Sequence, residues 1–263
     1  MDNVNVSARN VTFYAQKSNL QSVYIKNCKF EEEDGTTVCI DKDVTKKNPQ
    51  YGDDVIVEKC SNICSLQGYE SILEPGKWSD YNMLNIGEIK IINCTFPRSG
   101  FYLNCAKATS FVMKDCTPNQ EITGTSFGDC EIDKVVIEKS FIDNIWVHGV
   151  SEIAGSGGIY STGAKIQSMV LDNVGFNDLQ FYCEKGGYVG SLIIRNCTCT
   201  NKYLTIETAE PIDVNLENCT FGRIWDQEAA NIYHITNCDF LDGKYITSFV
   251  GTAKQLEELL NEM

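Results

Sequence analysis

The sequence predicts an all-β fold: a right-handed single-stranded parallel β-helix (solenoid) of about ten coils, closed by a short C-terminal capping helix. Three observations predict it. A pattern reading apolar, x, apolar, x, Asn, Cys, x, Phe, clearest at residues 214–221 (VNLENCTF), recurs along nearly the whole chain. Its closest copies stand about 20 residues apart, the period of a solenoid. Within each copy, apolar residues alternate with polar ones, as in a strand with one buried face, and the alternation stops at the Asn.

The elements follow in order. Aligned on the Asn slot, the copies fall at Asn10, Asn27, Lys59, Asn93, Asp115, Lys139, Asn173, Asn196, Asn218 and Asn237. Residues 23–26 (VYIK) and 192–195 (LIIR) are strands by their period of two. Asn then turns the chain, because it tolerates the left-handed backbone conformation of a tight corner. After the corner, Cys and Phe point inward again, and a further short strand follows, as at 37–40, 101–103, 181–183 and 203–206. The solenoid is assigned to residues 1–251 and the capping helix to 252–263, with Leu256, Leu259, Leu260 and Met263 on one apolar face. The first coil has no such cover, so its N-terminal end is expected to lie against another domain or subunit.

Seven cysteines (Cys28, Cys60, Cys94, Cys116, Cys197, Cys219, Cys238) share one slot, which Val11, Ser140 and Val174 fill in other copies. A slot that accepts Cys, Val and Ser calls for a small buried side chain, so a cysteine ladder stands beside the asparagine ladder. Stacked Cβ vectors run parallel, which suits disulfide torsions badly. Free thiols and the lack of a signal peptide in the sequence favour a reducing, cytoplasmic setting. The slot before Asn faces water. Stacking there sets Lys26 against Glu58, Lys114 against Glu138, and Arg195 between Asp172 and Glu217.

The pattern resembles the parallel β-helix repeat of the pectin-lyase-like superfamily, usually written V-x-I-x-N-N-x-F and followed by a G-x-x-I strand, over residues 4 to 250. Here Cys stands where that repeat commonly carries a second Asn. The superfamily includes lyases, hydrolases, tailspikes, adhesins and inert scaffolds, so the resemblance implies a fold more than an activity. Gly52-Asp53-Asp54 before residues 55–57 resembles the paired-aspartate segment of its pectin hydrolases, His148-Gly149 their histidine-glycine element, and Arg223-Ile224 their basic one. The other aspartate motif and the full Gly-His-Gly and Arg-Ile-Lys elements are missing, and Asp54 and His148 are several coils apart.

The formal charge of −14 opposes phosphate backbones and anionic membranes, so nucleic acid and membrane are not expected partners. No run reaches the ~18 apolar residues of a membrane span. Cys60-x3-Cys64 and Cys197-x-Cys199 lack the second half of a zinc site, so no metal and no cofactor is expected. Three insertions break the period, at 41–54, 68–82 and 148–161, and loops on a regular scaffold are where sites usually lie. Asp53, Asp54, Glu70 and Asp80 are the carboxylates for acid–base work. Tyr69, Trp78, Tyr81, Trp146 and His148 are the binding candidates, with Trp225 and Tyr245 as further outward rings. The expected function is a non-catalytic recognition or structural module for a protein or glycan partner. The alternative is a carbohydrate-active enzyme, lyase or hydrolase.

Overall fold

The computed structural model describes residues 1–14, 22–31, 35–41, 54–68, 84–97, 100–118, 124–149, 163–199, 203–226 and 231–263. The chain is an all-β solenoid of parallel strands with one short helix at its C-terminal end. One ladder runs from Val23–Lys26 through Val55–Glu58, Leu84–Ile92, Phe101–Lys114, Gly124–Glu138, Lys165–Asp172, Ser191–Arg195 and Asp213–Glu217 to Ile232–Phe240, every pairing parallel. The period of two explains it. Ile25, Val57, Ile91, Met113 and Ile137 are in register and fully or almost fully buried, while Lys26, Glu58, Lys114 and Glu138 share the outward column.

Each ladder strand ends at a left-handed corner. Asn27, Lys59, Asn93, Asp115, Lys139, Asn173, Asn196, Asn218 and Asn237 have φ between 48° and 54°. No β-branched residue takes the slot, as the sterics of that region require. Exposed corner amides also link coils: Asn218 Nδ2 donates to Asn196 Oδ1 at 3.4 Å, and Asn196 Nδ2 to Asp172 Oδ1 at 2.9 Å.

The first corner is Asn3 (φ 55°), not Asn10. Asn5–Val6 pairs with Lys29–Phe30, which puts Val4 in the Cys slot and Val6 in the Phe slot. Asn10–Tyr14 is instead the strand after the corner, paired with Thr36–Asp41. A copy with Val in both diagnostic slots carries a weak signature, and the Asn-Val-Thr-Phe of residues 10–13 imitated a strong one. Asp2, not Arg9, therefore opens the outward column, and its Oδ1 accepts from Asn27 Nδ2 at 2.8 Å.

Charges in that column pair as their register dictates. Lys26 meets Glu58 at 3.0 Å, and Lys114 meets Glu138. Arg195 gives Nε and Nη2 to Asp172 Oδ2, at 2.9 and 2.8 Å. Glu217 is its register partner on the other side.

The cysteine slot is polar as well as small. Every thiol in it donates to the carbonyl two residues earlier, from Cys28 to Lys26 O at 3.1 Å through to Cys238 to Thr236 O at 3.4 Å. Ser140 Oγ does the same to Glu138 O at 2.9 Å. These are free thiols, buried in the slot.

The two ends differ. At the C-terminal end Tyr245–Gly251 pairs antiparallel with Ile232–Phe240, and the helix Ala253–Glu262 follows. Thr252 caps that helix in a reciprocal box with Gln255, and Leu256 is buried. Leu259 and Leu260 pack against the core, but Met263 lies past the helix and is 61% exposed, so the apolar face ends one residue type short of the expectation. The expected helix is therefore preceded by an antiparallel strand that ends the parallel ladder. At the other end, Asn10–Tyr14 pairs on one side only among the described residues.

Candidate functional site

The strands after the corner form a second ladder, and its outer face carries the site. Ile63–Gly68, Phe101–Lys114, Gly124–Glu138, Asn144–Val147, Leu179–Cys183 and Tyr203–Thr208 stack in parallel. Their alternation buries Leu66, Leu103, Phe127, Val147 and Cys183 and turns the intervening residues outward. The intervening residues in register are Ser65, Tyr102, Ser126, Trp146, Tyr182 and Glu207, one from each strand; Tyr102 and Trp146 are exposed, whereas Ser65 and Ser126 are buried.

Within that column the rings touch. Trp146 is 37% exposed, and its centroid lies 4.7 Å from that of Tyr182, the planes tilted by 40°. The imidazole of His148, two residues further along the chain, also stacks on Trp146, at 5.9 Å and 27°. Tyr182 gives its hydroxyl to Gln180 Oε1 at 3.1 Å. Burial and then the charge of Glu207, next in the column, push its phenol pKa up. Tyr182 is therefore a neutral donor at any ordinary pH.

A second, shorter column holds polar groups. Asn104 is in register with Gly128, and His148, just past Asn144–Val147, donates its N–H to Phe127 O at 2.9 Å. Gly128 leaves room for the Asn104 amide: a Cβ would come within 2.4 Å of Asn104 Oδ1 and push that side chain aside. His148 Nδ1 stands 3.5 Å from Glu184 Oε2, which also accepts from Gly149 N at 3.1 Å. Gly149 in turn lets the chain pass against Lys185, whose carbonyl would be 2.0 Å from a Cβ. The turn that carries His148 is thus fixed by a carboxylate on one side and by main-chain packing on the other.

This arrangement offers ring faces, a hydroxyl, an amide, an imidazole and a carboxylate on a flat, regular surface. It can stack against an apolar ring face and hydrogen-bond groups around its rim. Among the described residues, no three of His, Cys, Asp and Glu come together in a way that could hold a metal ion, and no helix is long and apolar enough to cross a membrane.

Of the residues named from sequence, Trp146 and His148 come together here. Asp54 does not: it precedes Val55–Glu58 on the other ladder, where its carbonyl accepts from Val23 N at 3.0 Å. Asp53, Glu70, Asp80, Tyr69, Trp78 and Tyr81 lie outside the described residues. Trp225 is half exposed and meets Tyr203 edge-on at 6.2 Å, and Tyr245 is exposed near the C-terminal end. Sequence reading missed Tyr102, Ser126, Tyr182 and Glu184. The signal for the two tyrosines was available, since each sits between buried residues in a strand of period two.

Comparison of the chain with family models, with curated proteins and with solved structures gives no match.

Proposed function

We propose that this chain is a non-catalytic β-helical recognition module that binds an extended carbohydrate along the column from Tyr102 to Tyr182. The observation that carries the reading is that Tyr102, Ser126, Trp146 and Tyr182 occupy consecutive rungs of one column, with the rings of Tyr102 and Trp146 exposed. Rungs repeat every ~4.8 Å. One pyranose unit of an extended chain advances by a similar distance, so successive sugars meet successive rungs. The apolar faces of the sugars lie on Trp146 and its neighbours, and their hydroxyls reach Asn104, His148 and Glu184. The resemblance of the repeat to that of pectin-lyase-like proteins, a superfamily with polysaccharide lyases and hydrolases in it, supports the same ligand class.

The test is retention on a panel of immobilised neutral and acidic polysaccharides, for the protein and for Trp146→Ala. Binding to at least one polysaccharide that the substitution weakens about tenfold or more supports the reading. Retention on none of them, or equal retention of the variant, overturns it and leaves a protein partner for this face.

A further inference from the structure

A second concavity lies at the C-terminal end of the same ladder, outside the column just described. The helix Ala253–Glu262 leans over Arg223–Trp225 and encloses a cleft of about 400 Å³ between them. That is room for one or two rings and lies within the ordinary range of small-molecule sites. Its floor is apolar: Leu256 is buried, and Ile224 and Leu260 pack partly against the core. The rings of Trp225 and Tyr203 form one end, with 51% of Trp225 exposed.

The rim carries three cations and three carboxylates, and they differ in how they are engaged. Asp226 accepts from the hydroxyl of Tyr233 at 3.1 Å. Asp242 lies 3.7 Å from Lys244, whose ammonium also donates to Leu260 O. Arg223 on the strand wall and Lys254 on the helix wall make no ion pair or hydrogen bond with the described residues, and Glu257 is the one carboxylate on the rim similarly unengaged among them. Among the described residues, Arg223 and Lys254 are thus uncommitted cations on opposite walls of a cleft that is apolar at its floor and polar at its rim.

We infer that this cleft binds a small aromatic carboxylate, with its ring on Ile224, Leu256 and Trp225 and its carboxylate between Arg223 and Lys254. A guanidinium matches a carboxylate geometrically, and the flat apolar floor suits a planar ring better than a hydroxylated one. The assignment does not depend on carbohydrate binding at Trp146.

The test is calorimetric titration of the full chain with phenylacetate and indole-3-acetate, beside phenylacetamide as the neutral isostere and acetate as the charge without the ring. Saturable binding of at least one aromatic acid is expected, with phenylacetamide and acetate roughly tenfold or more weaker. Arg223→Gln and Lys254→Gln each weaken it severalfold, Arg223→Lys less so, and Trp146→Ala leaves it unchanged. An unaltered circular dichroism spectrum excludes misfolding of these exposed-site variants. The inference is overturned if neither acid binds saturably, if the amide binds as well as the acid, or if both cation variants bind like the parent protein.

Discussion

The Cys219 thiol sits 3.2 Å from the carbonyl oxygen of Glu217 on its own coil and 3.3 Å from that of Ile194 on the coil before. One buried S–H thus adds a second hydrogen bond to a carbonyl that already accepts from Asn196 N at 2.9 Å, and it touches the neighbouring rung. Cys219→Ala removes that second hydrogen bond and leaves a small cavity, so a loss of about 1–2 kcal/mol in urea unfolding is expected. Cys219→Ser keeps a donor, as Ser140 does, and is expected to lose less than the alanine variant.

The thiols also set an alkaline limit. Burial pushes Cys183 up to about 11, and the neighbouring Cys197 thiol together with burial pushes Cys219 up to about 12. Cys197 is held lower by the same neighbour. In the unfolded chain a thiol ionises near 8.5. Above that pH the unfolded state has shed protons that the folded state keeps, so stability falls as pH rises. The contribution is complete below about pH 8 and lost progressively between there and 11–12. Urea midpoints measured at pH 7 and pH 10 check this, and the fall between them is expected to be smaller in Cys183→Ala.

An acid limb comes from the outward column. The Asn196 amide and then the Arg195 guanidinium hold the Asp172 carboxyl below its usual range, against a smaller opposing effect of burial. A depressed folded pKa stabilises above the unfolded value of ~3.9, and that stability goes as pH falls through the folded one. Asp172→Asn is expected to flatten the unfolding curve below about pH 4 and to change stability at pH 7 by no more than about 1 kcal/mol, as for other exposed pairs.

Gly128 and Gly149 separate ligand binding from folding. A methyl at Gly128 meets the end of the Asn104 side chain, which can swing aside, whereas one at Gly149 meets the Lys185 carbonyl. Gly128→Ala is expected to cost under about 1 kcal/mol of stability while weakening carbohydrate binding. Gly149→Ala is expected to cost more than about 2 kcal/mol, since main chain must move. Thermal unfolding beside a polysaccharide affinity measurement distinguishes the two.

Much of this fold could be read from the chain because a period of two and a left-handed corner leave local marks. Where those marks fade, the reading slipped. Val4 and Val6 hid the first coil, so Asn10 was taken for its corner. The strand Tyr245–Gly251 matches no slot, because it closes the ladder by reversing it. The cysteines read as small and buried, but their donation to the corner carbonyls depends on where the carbonyl two residues back points. The site was harder still. Trp146 and His148 were visible as residue types, but their neighbours were not. Tyr102 and Tyr182 join them only once the coils are stacked, and insertions of different lengths hide that register from any fixed spacing.

The central claim is that consecutive rungs from Tyr102 to Tyr182 meet consecutive sugars. It is tested most directly by the dependence of affinity on oligosaccharide length, using graded oligomers of a polysaccharide the protein retains. Affinity should climb with each unit up to about four, one for each of Tyr102, Ser126, Trp146 and Tyr182, and then level off. Affinity already maximal for a single sugar, or unchanged when Tyr102 and Tyr182 are both replaced by Ala, would contradict it.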